Sequence, residues 1–170
     1  MQEKVVQGGK FLLLLVLSYA IIYFLISLIP LEWIELMLAK VIVVFTDGEI
    51  IFQEPVLIAF KSFTIQISEL CTGIMEFVLL ASAIISTGEI TKRKKIIGVI
   101  GAGIATYLFN VIRIIITVSL IDKTSLETIE LAHDLLFRIS LFVLIAGYYF
   151  VWYYLAVKGI PKRFYAKFKY

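Results

Sequence analysis

Residues 92–121 read KRKKIIGVIGAGIATYLFNVIRIIITVSLI, four consecutive cations followed by an apolar run from Ile96 to Ile121 whose only charge is Arg113. At about 1.5 Å per residue such a run forms a helix long enough to cross a hydrocarbon core of about 30 Å. The abutting cluster Lys92-Arg93-Lys94-Lys95 fixes its start on the cytoplasmic side, because lysine and arginine concentrate there. The run before it, 70–87, must then travel inward, and the run after it, 131–157, travels inward again. A fourth run, 11–29, is uncharged and follows Lys4 and Lys10. It exceeds the about 7–15 residues of a signal-peptide core and continues into Pro30-Leu31-Glu32-Trp33 with no small-x-small site, so it reads as a retained membrane helix.

Composition agrees. The chain of 170 residues is 61% hydrophobic and 17% charged, against roughly half and a quarter in soluble domains. The tail at 158–170 carries Lys158, Lys162, Arg163, Lys167 and Lys169, whereas the opposite connections are mainly acidic. The expected fold is an all-α integral membrane helical bundle of about four transmembrane helices, a single membrane domain over 1–170. Both termini are expected in the cytoplasm of a multi-pass cell-membrane protein.

The connection 30–69 reads as an extracytoplasmic cap. Residues 31–45 place Glu32, Glu35 and Lys40 among apolar side chains, as in an interfacial helix, and Trp33 suits the headgroup level. After the turn signal Asp47-Gly48, the segments Ile50-Ile51-Phe52 and Phe63-Thr64-Ile65-Gln66-Ile67 read as short strands, a small β-hairpin interrupted near Pro55.

Three reactive groups fall at the outer ends of successive spans. Cys71, the only cysteine, stands at the entrance of the second; Arg113 is eight residues before the end of the third; His133, the only histidine, lies in the first turn of the fourth. Ionisable groups inside membrane segments are costly and mark function. Each has a plainer reading: a buried cysteine is commonly an inert small hydrophobe, and a lone histidine a hydrogen-bonded structural residue. Arg113, however, needs an acceptor or a purpose. Asn110 shares its helical face, and Glu76 is a candidate partner for Arg113 or Arg138. Glu130, one turn before His133, is placed to fix its tautomer, while Asp134 and Arg138 are spaced as a simple ion pair. Gly98, Gly101, Ala102, Gly103 and Ala105 read as a surface for close helix packing. One cysteine and one histidine exclude an intramolecular disulfide and cannot complete an ordinary zinc site. No metal or cofactor is expected, and no nucleic-acid motif occurs; the basic clusters suit topology and anionic membrane lipid.

The ordered set Glu69-Leu70-Cys71-Thr72-Gly73-Ile74, Asn110-Val111-Ile112-Arg113-Ile114 and Ala132-His133 resembles the exosortase/archaeosortase family of membrane transpeptidases, over about Glu69 to Phe150. The chain is small, with fewer spans than many members. Some archaeal members carry arginine where others have histidine, which makes Arg138 the alternative to His133. The resemblance implies an enzyme that cleaves secreted proteins bearing a C-terminal tripartite sorting signal and passes the acyl group to a lipid-linked amine acceptor. Cys71 would form a thioester, Arg113 would stabilise the oxyanion and His133 would carry the proton. Two other expectations stay open: a purely hydrolytic membrane thiol peptidase, and a non-enzymatic oligomeric transporter or channel subunit in which Arg113 and His133 line a path.

Overall fold

A computed structural model describes residues 2–61, 63–88, 90–121 and 126–158, with side chains for these except at 2–5, 52, 53, 70, 121, 126–140 and 158. The chain is mostly helical. In order come helix α1 (Gln2–Ser27), helix α2 (Glu32–Phe45), strands β1 (Glu49–Gln53), β2 (Val56–Ala59) and β3 (Thr64–Ile67), a single 3-10 turn (Glu69–Cys71), and helices α3 (Ile74–Ser86), α4 (Lys92–Ile121) and α5 (Leu126–Lys158).

α1 and α4 are each long and apolar enough to cross a membrane. α3 has only 13 residues, a rise of about 20 Å. It is nevertheless central, packing against α1, α4 and α5. The span expected over 70–87 thus becomes a 3-10 turn, a break at Gly73 and a shorter helix. The break has a local cause: Gly73 adopts φ 77°, the left-handed region that glycine enters without strain.

The cap holds three antiparallel strands in the order β1-β2-β3 rather than a two-stranded hairpin, so the fold is not purely α. The unforeseen strand is the central one. Val56-Leu57-Ile58-Ala59 lacks polar–apolar alternation because both of its edges are paired and Val56 and Ile58 are sealed beneath α2. The register slips by one residue between Ile50 and Phe52, which leaves Ile51 exposed.

Two apolar clusters divide the molecule. At one end Leu38, Ala39 and Ile42 of α2, Val56 and Ile58 of β2 and Ile67 of β3 pack on Val111, Ile114 and Val118, the last third of α4. The three α2 residues share one face by their spacing. At the other end Leu80 and Ile84 of α3, Ala102 of α4, and Leu144, Trp152 and Ala156 of α5 form the second cluster. There α4 and α5 approach closely because α4 presents glycine. Tyr148 donates to Gly98 O at 2.8 Å and Trp152 Nε1 to Lys94 O at 3.2 Å. The basic cluster also caps helix ends: Lys94 Nζ donates to Ala156 O in the last turn of α5, and Lys95 Nζ to Ile85 O in the last turn of α3, each at 2.6 Å.

Two predictions follow from this packing. A Cβ at Gly98 would run into the Trp152 indole, while one at Gly103 would meet Phe77 at an ordinary 3.5 Å. Gly98→Ala should cost about 1–3 kcal/mol by overpacking, and Gly103→Ala should be neutral or stabilising, both read from unfolding in detergent. In the cap, burial pushes the Glu35 carboxyl above its ordinary value, and the Glu32 and Glu69 carboxylates add to this. The folded chain therefore holds that proton more tightly than the unfolded one. The stabilisation is complete below the unfolded pKa of about 4.3 and is lost as pH rises through the higher folded value. Glu35→Gln should raise the unfolding midpoint at neutral pH and flatten its dependence over the mildly acidic range.

Candidate functional site

Between the two apolar clusters runs a buried polar seam. Thr72, just before α3, Glu76 in its first turn, and Thr106, Asn110 and Arg113 of α4 are all buried; Gly73 packs on Asn110 and Glu76 pairs with Arg113. Such groups survive out of water only when hydrogen-bonded or paired, and their partners define the site.

The joint is built around Gly73. Asn110 packs against it so tightly that a Cβ at position 73 would collide with the Asn110 amide. The same amide donates from Nδ2 to Thr106 O at 2.9 Å. That bond ties Asn110 to its own helix, where it serves as a wedge for the α3 entrance. Thr72 Oγ1 donates to Glu69 O at 2.6 Å and accepts from Ile74 N at 3.4 Å, which ties the 3-10 turn to the helix.

Cys71 closes that turn. Its backbone N–H donates to Ser68 O at 2.8 Å, its sulfur stands 3.7 Å from Ser68 Oγ, and it is half-buried against the cap-side cluster. The thiol thus sits three residues before α3, not in its first turn. Ser68 is a neighbour that the sequence did not single out, since a serine three residues before a cysteine carries no signal of its own.

Arg113 Nη1 lies 3.9 Å from Glu76 Oε1, with the two side chains only 8% and 6% exposed. The expected Glu76 partnership with Arg113 is therefore present, and Arg113 makes interactions beyond it. Cys71 packs against the cluster that includes Val111 and Ile114, the neighbours of Arg113 on α4, so the thiol and the Arg113–Glu76 pair lie in the same region, where α3, α4 and the cap join.

His133 is the eighth residue of α5. Its side chain, and those of Glu130, Asp134 and Arg138, lie outside the described residues, as does the tail beyond Lys158. Among the described residues no cluster of His, Cys, Asp and Glu is arranged to hold a metal ion. Chemically, the assembled part offers a nucleophile, a fixed cation able to bind an oxyanion, and a carboxylate that holds the cation in place. Comparison of the chain with known protein families, curated proteins and solved structures finds no match.

The Arg113–Glu76 contact is testable by a double-mutant cycle. Glu76→Gln and Arg113→Gln should each destabilise the folded chain in detergent, and the double variant should lose less than the two losses added, with a coupling of about 1–3 kcal/mol. Strict additivity would show that Arg113 is held mainly by its other partners.

Proposed function

We propose that this chain is a cysteine-dependent membrane transpeptidase resembling exosortases and archaeosortases, with α1, α4 and α5 crossing the membrane, α3 reaching only part of the way, and its reactive groups on the extracytoplasmic side. The observation that carries the reading is the buried Arg113 guanidinium, paired with Glu76 in an apolar bundle, on the stretch of α4 whose Val111 and Ile114 belong to the cluster that Cys71 packs against. A buried arginine on a scaffold of this kind is expensive, and a purpose for it must be found within reach.

The membrane placement draws support from the surface. Leu13, Val16, Ile21 and Phe24 on α1, Ile97, Ile104 and Ile112 on α4, and Val143 and Phe150 on α5 are all exposed. An apolar exterior that wraps a bundle is what a bilayer solvates. Lys10, Lys94, Lys95 and the end of α5 share one end of the molecule, which the positive-inside rule assigns to the cytoplasm. Cys71 and the cap occupy the other. Trp33, Val44 and Phe45 are the exposed face of α2, suited to lie at the outer interface.

In this reading a secreted protein's C-terminal sorting signal threads its own hydrophobic helix beside the bundle and brings its cleavage motif under the cap. The Cys71 sulfur adds to the scissile carbonyl, with its proton taken up by His133. Arg113 hydrogen-bonds the oxyanion that forms, and Glu76 positions Arg113. Collapse of the adduct breaks the C–N bond, the leaving amine takes the proton from His133, and an acyl thioester remains on Cys71. An amine-bearing, lipid-linked acceptor then attacks the thioester and restores the thiol.

In vesicles containing the full chain and a secreted reporter with a tripartite C-terminal signal, Cys71→Ala should leave no processing. Arg113→Ala should cost about 10²–10³-fold in turnover, and Arg113→Lys should fail to restore it because a point charge lacks the planar two-donor contact. The mass of the product terminus separates acyl transfer from hydrolysis. Turnover retained by a folded Cys71→Ala protein would refute the assignment.

A further inference from the structure

The end of the bundle remote from Cys71 holds a cavity of about 600 Å³ between α1, α5 and the segment that leaves α3, a volume within the range of small-molecule sites. One wall is a single face of α1, formed by Gln7, Lys10, Phe11 and Leu14 at helical spacing. The two residues nearer the helix start are hydrogen-bond donors, one of them charged, and the two nearer the helix middle are apolar. The facing wall includes Thr87 and the half-exposed ring of Tyr153, and tyrosine favours the membrane interface.

This gradient runs in the same sense as a lipid, polar at the end of the bundle and apolar toward its centre. Lys10 has no hydrogen-bond or ion-pair partner among the described residues, and no acidic side chain lines the cavity among them. Lys95, bonded to Ile85 O just before the cavity's α3 wall, adds a second positive charge nearby. α1 packs on α3 along one side only and leaves Leu12, Leu13 and Val16 exposed, so a ligand can arrive sideways from the bilayer. Basic pockets between membrane helices on the cytoplasmic side commonly hold phosphate-bearing headgroups.

We infer that this cavity is a binding site for an anionic phospholipid, with the phosphate on Lys10 and Gln7 and the start of the acyl chains on Phe11 and Leu14. The inference rests on the membrane placement proposed above but not on the acyl-transfer chemistry.

The test uses the full-length chain in a neutral detergent and native mass spectrometry. The probes are dihexanoyl phosphatidylglycerol, dihexanoyl phosphatidylcholine and inorganic phosphate. The wild-type protein should bind the phosphatidylglycerol more tightly than the phosphatidylcholine, and inorganic phosphate at equal concentration should not displace it. Lys10→Ala, checked for an unchanged unfolding midpoint, should weaken phosphatidylglycerol binding about fivefold, the loss expected for one lysine near an anionic surface, and abolish the preference between the two lipids. Equal binding of both lipids by the wild type, or unchanged phosphatidylglycerol binding by Lys10→Ala, overturns the inference. Displacement by inorganic phosphate overturns the lipid assignment in favour of a free-anion site. Alkaline extraction of vesicles separates the levels: a chain washed off the membrane removes the placement itself, whereas an embedded chain whose lipid binding ignores Lys10 removes this inference alone.

Discussion

A guanidinium sealed among apolar helices is the constraint on which the site end of this molecule depends. Removing a charge from water costs several kcal/mol even after relaxation, so Arg113 requires an acceptor at a fixed place. Glu76 supplies one from the first turn of α3, at 3.9 Å and equally buried. The contact sets how far α3 may slide along α4. The Asn110 wedge against Gly73 sets the same register a turn away, because no side chain other than hydrogen fits between them. The 3-10 turn is tied to α3 through Thr72, so the Cys71 thiol is positioned by residues on two other elements. Its place is a consequence of the polar seam.

The opposite end solves a different problem by different means. There α3 stops at Ser86, and its last carbonyls are met by Lys95 and by Thr87, whose hydroxyl also joins Tyr149. Ser18 reaches Ser86 Oγ at 3.2 Å and holds α1 against it. These are neutral or exposed contacts, individually modest. Among the described residues the costly buried charge lies at the cap end, which is the distribution expected if one end carries chemistry and the other carries the assembly.

Much of this was legible in the residues. The lengths and charges of the runs after Lys10 and Lys95 marked α1 and α4, and the glycines of α4 marked a face for close helix packing, whose partner at Gly98 and Gly101 is α5. Alternating the direction of the spans put Cys71 and Arg113 toward the same end, and Glu76, about a turn and a half beyond Cys71, was one candidate partner for Arg113 or Arg138; the structure shows the pair with Arg113. The failures have physical causes. The span from residue 70 looked continuous because Thr72 and Gly73 do not interrupt hydropathy, yet Gly73 must take a left-handed conformation to make room for Asn110, which only the packed pair reveals. The central strand lacked alternation because both of its edges are paired, and that pattern is shared with a stretch of buried helix. Asn110 was legible as sharing a face with Arg113, but its packing against Gly73 was not, since that depends on how closely α3 approaches.

The shortness of α3 ties the cap to the site. A helix of 13 residues rises about 20 Å and cannot cross a hydrocarbon core of about 30 Å. If its lower end lies at the cytoplasmic interface, the break at Gly73 and the 3-10 turn lie inside the bilayer. Irregular backbone is tolerated at that depth only where protein covers it, because lipid offers no hydrogen bonds. The cap is placed to give that cover: α2 and the sheet pack on the last third of α4, and Cys71 lies against the same cluster. On the proposed membrane placement, a full-length α3 would satisfy its own backbone and need no lid, whereas the shortened helix leaves a turn whose backbone the cap must screen from lipid.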